Sequence, residues 1–292
     1  METENILQKK AMLVNFSVSI FSGRKKDKAA AQTVSDTYGN DIDIGNYIKQ
    51  SIPKEHLQEI TKNASEFRTF LYGRTLPWTH KGDLLLSTDH YKKVMEKERA
   101  CNTKHVELVN DFLQNYETYI LSAKSKLNGL FNPLDYPSAE KIKTKFAWSV
   151  NFAPVPAGQN FKVNLAQADI DNIKQDIENK NDAAIKQANQ ELWNRIYTAV
   201  KALSEKMQEK RQVNGQDVTP IFRDSIIGNI KELVELLPGL NILDDPALET
   251  ARQELENNLA GIDPESLRAS DYSRQETVKK AESILNNIQG IF

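Results

Sequence analysis

Cysteine occurs once in this chain, at Cys101, so no internal disulfide and no cysteine-based zinc cluster can form, a usage that fits a reducing cytosol. Glycine and proline are scarce, 12 and 10 of 292 residues, in a chain that is only 39% apolar and 27% charged. So few breakers in a polar sequence predict long helices that each bury one stripe. No run approaches the roughly 18 apolar residues that would span a membrane. The opening "METENILQKKAMLVNF" lacks the basic and then continuously apolar pattern of a secretory signal. The expectation is a soluble cytoplasmic protein with no membrane partner. An excess of positive charge is also missing: the formal net charge is −2, which disfavours a globally basic nucleic-acid binder. The charge is uneven, however. Residues 1–150 carry 22 Lys+Arg against 18 Asp+Glu, a net +4, whereas residues 151–292 carry 16 against 22, a net −6.

What the sequence does contain is periodicity. Val14, Phe16, Val18 and Ile20 alternate with Asn15, Ser17 and Ser19, as in a strand with one buried face. Gly23 ends it, and Asp27 is placed to cap a short helix from Lys28 to about Thr37. "YGNDIDIGN" reads as a loop. Pro53 suits the first turn of a helix running to about Tyr72, with Leu57, Ile60, Ala64, Phe67 and Leu71 as its stripe. "TLPWTHKGDLLLST" is an irregular crossing with a short strand at Leu84–Leu86. From Asp89 to about Asn128 no proline or glycine intervenes, and Val94, Cys101, His105, Leu108, Phe112 and Tyr119 recur at threes and fours or their multiples. This predicts one helix of about forty residues, roughly 60 Å long. "GLFNPLDYPS" stops it, and "FAWSVNFAPV" with "QNFKVNL", joined through Pro156-Ala157-Gly158, predicts a β-hairpin.

The longest helical signal runs from Gln167 to about Arg211. Ile173, Ile177, Ala184, Ala188, Leu192 and Ile196 keep close to a heptad spacing, with a polar interruption at Glu178–Asp182. Such spacing predicts a coiled coil or a helical hairpin. The preferred partner is the Asp89–Asn128 helix, in an antiparallel stalk with the strands near its base; two ordinary bundle helices are the alternative. From Val213 onward the chain holds 7 Lys+Arg against 14 Asp+Glu, in shorter helices punctuated by Pro220, Pro238-Gly239, Asp245-Pro246 and Asp263-Pro264. The expected fold is mainly α with a minor antiparallel β element and a long, elongated helical hairpin or coiled-coil stalk. It divides into residues 1–212, a strand and hairpin base with the stalk, and residues 213–292, an acidic helical region.

The stretch "SGRKKDK" follows a strand and precedes a helix, as phosphate loops do. A Walker loop needs a second glycine and a Ser or Thr after its lysine, and a dinucleotide turn needs three glycines; neither pattern is present. What remains is Ser22, Gly23, Arg24, Lys25, Lys26 and Lys28 close to a helix N-terminus, a candidate contact for an anion or an acidic partner, or simply a solvated turn. Cys101 and His105 lie one helical turn apart, but both fall on an apolar stripe, so core packing is the expected role and no metal is expected. "DIDIG" at Asp41–Gly45 departs from the calcium-loop pattern in the place of its glycine and in Ile52 at the twelfth position, and reads as an exposed acidic loop. Trp78, Trp148 and Phe152, beside Tyr72, Tyr91, Arg74, His80, Lys81 and Lys141–Lys145, are candidates for stacking single-stranded bases, or else form a core face. No nucleophile elbow occurs and no carboxylate pair stands out among 40 acidic residues, so no catalytic residue is assigned and no cofactor is expected.

"LVNFSVSIFSGRKKDK" resembles the opening of an uncharacterised family from phages and prophages, catalogued as domain of unknown function 3150. The resemblance extends over about residues 10–212 and includes the aromatic segment like "FAWSVNFAPV"; Ser22, Gly23, Arg24 and Lys25 stand at its motif positions. The family has no established activity, so the resemblance implies no catalytic residues. It implies a context, since such proteins are often encoded beside AAA+ ATPases of the MoxR type, which makes an ATPase the expected protein partner. The reading favoured by this sequence is a non-enzymatic phage-type interaction or assembly protein, an adaptor or partner of an AAA+ ATPase, acting in the host cytoplasm. The alternative is a single-stranded nucleic-acid-binding module used in phage replication or recombination. An enzyme with a site assembled from scattered residues is a third class, and homo-oligomerisation stays open where a helical stripe finds no partner in its own chain.

Overall fold

Helix α1 (Glu2–Lys10) runs directly into strand β1 (Ala11–Ser19), where the apolar alternation begins. The computed structural model describes residues 2–39, 41, 44–78, 82–158, 163, 166–208, 211–213, 216–218 and 224–289. After β1 come β2 (Arg24–Lys26), α2 (Lys28–Tyr38), β3 (Ile48–Gln50), α3 (Glu55–Gly73), β4 (Thr75–Pro77) and β5 (Asp83–Ser87). The chain continues through α4 (Thr88–Gln114), α5 (Tyr116–Leu127), α6 (Ala139–Lys143), β6 (Ala147–Pro154) and α7 (Gln167–Gln208). It closes with β7 (Arg211–Val213), β8 (Gln216–Val218), α8 (Ser225–Leu240), α9 (Pro246–Leu255), α10 (Pro264–Ala269) and α11 (Asp271–Gln289). The described residues are therefore mainly helical, with one small sheet of strand order β4-β5-β1-β6 and two two-stranded pairs, β2-β3 and β7-β8. Within the sheet, β5 runs antiparallel to both β1 and β4.

Two compact units emerge, each assembled from separate stretches: Met1–Asn15, Tyr72–Lys92 and Phe152–Phe292 form unit 1, while Phe16–Leu71 and Lys93–Asn151 form unit 2. Residues 212 and 213, on either side of the expected boundary, both lie in β7.

In unit 1, α7 buries Ala184, Ala188, Leu192, Ile196, Val200 and Leu203, spaced by threes and fours. Its main partners are α11 and α8 rather than the 89–128 helix expected from the sequence. The reason is supply of apolar surface: α8 offers Ile227, Ile230, Leu233, Val234 and Leu237, and α11 offers Ala281, Ile284 and Ile288, all buried in the same core. The polar interruption at Glu178–Asp182 does not break α7, because Asn181 turns inward and donates to the Pro156 carbonyl at 2.8 Å. Nor does Pro238 end α8, which continues to Leu240. The bare Cα of Gly239 lies against the buried ring of His90; a Cβ there would come within 2.3 Å of Nε2. Arg195 closes the C-terminal end of α3, donating to the carbonyls of Tyr72, Gly73 and Thr75 at 3.2, 3.3 and 3.0 Å.

Unit 2 is built on α3, whose expected stripe Leu57, Ile60, Ala64, Phe67 and Leu71 is buried throughout. Ile52, Leu57 and Ile60 pack with Val109, Phe112, Tyr116 and Ile142. The helix expected from Asp89 to Asn128 is interrupted at Asn115, whose backbone adopts φ −93°, ψ 0° and whose side chain donates to the Asp111 carbonyl at 2.9 Å. An asparagine amide that bonds its own backbone offers an alternative to helical continuation, and apolar spacing alone cannot reveal it. The strand at 147–154 is present, but residues 159–162, 164 and 165 of the expected hairpin lie outside the described residues.

Candidate functional site

The site grows from one glycine. Gly23 sits at φ +63°, where a Cβ would meet the Ile52 carbonyl at 2.8 Å, so the position requires glycine twice over. Its own carbonyl accepts from the Ser51 N–H at 2.7 Å, the Ser51 hydroxyl at 2.9 Å and the Gln50 side chain at 3.3 Å. These bonds fasten "SGR" against the lead-in to α3. The basic residues that follow do not lead straight into a helix: Arg24–Lys26 form β2, paired antiparallel with β3 as Arg24↔Gln50, Lys25↔Lys49 and Lys26↔Ile48. Asp27 then caps α2 as expected, accepting from the Ala30 N–H at 3.1 Å.

Beneath this ridge lies Lys49, only 5% exposed. Its ammonium bridges Asp27 and Asp135 at 2.7 Å each and donates to the Leu130 carbonyl at 2.8 Å. Burial works against the charged form, but hydrogen bonds and charge from Asp135 and Asp27 prevail and hold the ammonium above its ordinary value. The same bond, helped by the Ala30 N–H, holds the Asp27 carboxyl below its ordinary value. Lys25 lies 3.9 Å from Asp135, whereas Arg24, Lys26, Lys28 and Lys54 form no ion pair among the described residues.

Beside the ridge opens a groove of about 720 Å³ between the "IFSGR" turn and α3. Ile20, Phe21 and Leu57 supply its apolar wall, and Arg24, Lys54 and Lys62 its charge. Hydroxyls and amides of Ser22, Gln50, Gln58, Thr61 and Ser65 complete the described lining, which contains no carboxylate. Gln58, Thr61, Lys62 and Ser65 follow from α3 spacing, because residues three and four apart share a helix face, and Lys54 immediately precedes the helix. Lys62 lies 3.9 Å from the Glu59 carboxylate, outside the lining, whereas Arg24 and Lys54 form no ion pair among the described residues. A groove of such charge with an apolar wall can hold an anion that carries hydrocarbon or aromatic body.

Of the sequence candidates, Ser22 and Arg24 line the groove, Gly23 shapes the turn, and Lys25, Lys26 and Lys28 stand exposed on the adjoining ridge. The stacking candidates differ in burial. Trp78 is 5% exposed and its ring is taken up by the core of unit 1. Trp148 is packed in unit 2 among Phe16, Phe67 and His105, and its Nε1 donates to Glu98 at 3.0 Å. Phe152, 39% exposed in unit 1, meets Tyr91 edge-on at 5.6 Å. Tyr72 and Tyr91 are exposed; His80 and Lys81 lie outside the described residues. Cys101 and His105 are each 4% exposed, inside the core as expected; burial pushes the thiol up and the imidazole down. Among the described residues no group of three His, Cys, Asp or Glu is placed to hold a metal ion.

The chain alone gave no sign of Lys49, a lysine in a three-residue strand whose partners lie 22 and 86 residues away. Lys62 carried a weak signal, its place on the polar side of α3, and Lys54 only its position just before that helix. A scan against protein-family models returned no matching family, and searches of the curated proteins and of the solved structures returned no match.

Proposed function

We propose that this protein is a non-enzymatic interaction module that holds an anionic segment of a protein partner in the groove between the "SGR" turn and α3. The observation that carries this reading is the convergence of Arg24, Lys54 and Lys62 on an apolar wall formed by Ile20, Phe21 and Leu57, with no carboxylate in the described lining. Lysine, arginine, amide and hydroxyl groups bind anions, whereas proton transfer near neutral pH calls for groups that titrate there. The partner to test first is an AAA+ ATPase in a phage-type assembly, an assignment that rests on the sequence resemblance alone. Self-association through an elongated stalk or coiled coil would fall on the first third of α7, where Ile170, Ile173 and Ile177 remain half-buried.

Single-stranded nucleic acid is the second reading, favoured by the presence of Phe21 and Arg24 in one lining, an aromatic residue together with cations. Affinity capture from cells, with and without nuclease, using the wild-type chain and the Arg24→Glu/Lys62→Glu variant, separates the two. A stoichiometric protein that survives nuclease and is lost from the variant is the expected result. Partners that vanish with nuclease would favour the nucleic-acid reading, and a partner retained by the variant would remove the groove from either.

A further inference from the structure

Strand β2 has a second edge. The Gly23 carbonyl accepts from the Ser51 N–H and the Asp27 N–H donates to the Tyr47 carbonyl at 2.9 Å, with Lys25 opposite Lys49 between them. Residues 23, 25 and 27 therefore direct their backbone groups at β3. In an antiparallel ladder the alternate residues direct theirs the other way, so Arg24 and Lys26 present N–H and C=O groups to the open side. Among the described residues β2 has no other strand beside it, and all three of its residues are exposed. The Arg24 N–H has a 3.3 Å contact to the Ser22 hydroxyl; the Lys26 backbone has no partner on that side among the described residues.

Side-chain alternation adds a polarity. Arg24 and Lys26 share one face and Lys25 the other, where Asp135 lies within 3.9 Å. The face that keeps its charge uncompensated is the one whose first residue, Arg24, lines the groove. We infer that β2 receives an extended acidic segment of the partner protein as a third strand, its backbone bonded to Lys26 and its alternate carboxylates set against Arg24 and Lys26. This rests on the anion-binding reading above and gives that anion a conformation. The charges also select the occupant. A second copy of β2 would place arginine and lysine against arginine and lysine, which like-charge repulsion opposes, while acidic residues at those positions form favourable cross-strand pairs. A nucleic-acid backbone has no N–H and C=O ladder with which to extend a sheet.

The test uses the full chain and a fluorescein-labelled peptide of alternating glutamate and threonine, read by fluorescence anisotropy. Lys26→Ala removes one charge and should weaken binding about threefold. Lys26→Pro also removes the outward N–H while sparing the bonds to β3, and should weaken binding about tenfold beyond the alanine variant. In the wild-type chain, hydrogen exchange at the Lys26 amide should slow when the peptide is added. Proline and alanine variants of equal affinity, with no slowing at Lys26, would overturn the strand mode and leave a purely electrostatic contact in the groove. Failure of the wild-type chain to bind this peptide, together with binding of an oligothymidylate, would overturn the anion-binding partner reading itself. The hydrogen-exchange arm decides the matter even if the proline variant fails to fold.

Discussion

The ammonium of Lys49 joins three stretches of unit 2 that are distant in sequence: the cap of α2 through Asp27, the carbonyl of Leu130, and the carboxylate of Asp135. Removing it leaves two carboxylates of low exposure without their counter-ion, so Lys49→Met should destabilise unit 2 by about 3 kcal/mol in urea denaturation. The pH dependence has a sign at each end. Asp27 lies below its ordinary 3.8, so its contribution is complete above that value and lost as pH falls through the lower folded one. Lys49 lies above its ordinary 10.5, so its contribution is complete below that value and lost as pH rises through the higher folded one. Thermal melts of Asp27→Asn against wild type should therefore converge in acid and separate toward neutrality. His105 behaves oppositely to Lys49. Its ring nitrogens are buried without a hydrogen-bond partner among the described residues and burial depresses its pKa, so stability is complete above about 6.5 and declines as pH falls below it. His105→Leu should flatten the melting temperature across that window, and an unchanged slope would assign the effect elsewhere.

Elements that bury one regular face could be read in advance, because burial imposes the period. The stripe of α3 and the start of α7 at Gln167 follow directly from apolar spacing, and the Asp27 cap from local chemistry. Strands β2 and β3 could not be read, since three exposed residues have no alternation to show and their pairing crosses the intervening α2. The break at Asn115 is invisible for a related reason: apolar residues continue across it on both sides. Helix α8 tolerates its internal Pro238 but depends on Gly239. Gly239→Ala would press a methyl into the His90 ring, which is itself held to the Arg74 carbonyl at 3.1 Å. The expected cost is about 2 kcal/mol, measured as a lowered melting temperature, and a neutral result would mean that the ring can move aside.

At the scale of the whole molecule, the two units have separate cores, one centred on α7, α8 and α11 and the other on α3 and α4. The chain passes between them within β1, α4 and β6 as well as after Leu71. Separate cores predict separable responses. In native-state hydrogen exchange, Lys49→Met should accelerate amides of α3 while leaving α8 unchanged, and Gly239→Ala should do the reverse. Equal acceleration everywhere in both variants would show that the units unfold as one.

By itself the sequence determined what depends on neighbours along the chain: a mainly helical protein, its long amphipathic stripes, the alternation of β1, the glycine turn at Gly23 and the cap at Asp27. The tertiary structure decided what depends on residues far apart meeting: α7 with α8 and α11, Lys49 with Asp27 and Asp135, and the placement of Lys54 and Lys62 opposite Arg24. Local periodicity states that a face must be covered and leaves open which surface covers it, because burial of apolar area is non-directional and many partners satisfy it. The groove belongs to that second kind. Its cations are ordinary in sequence, and only the turn at Gly23 brings them to one wall.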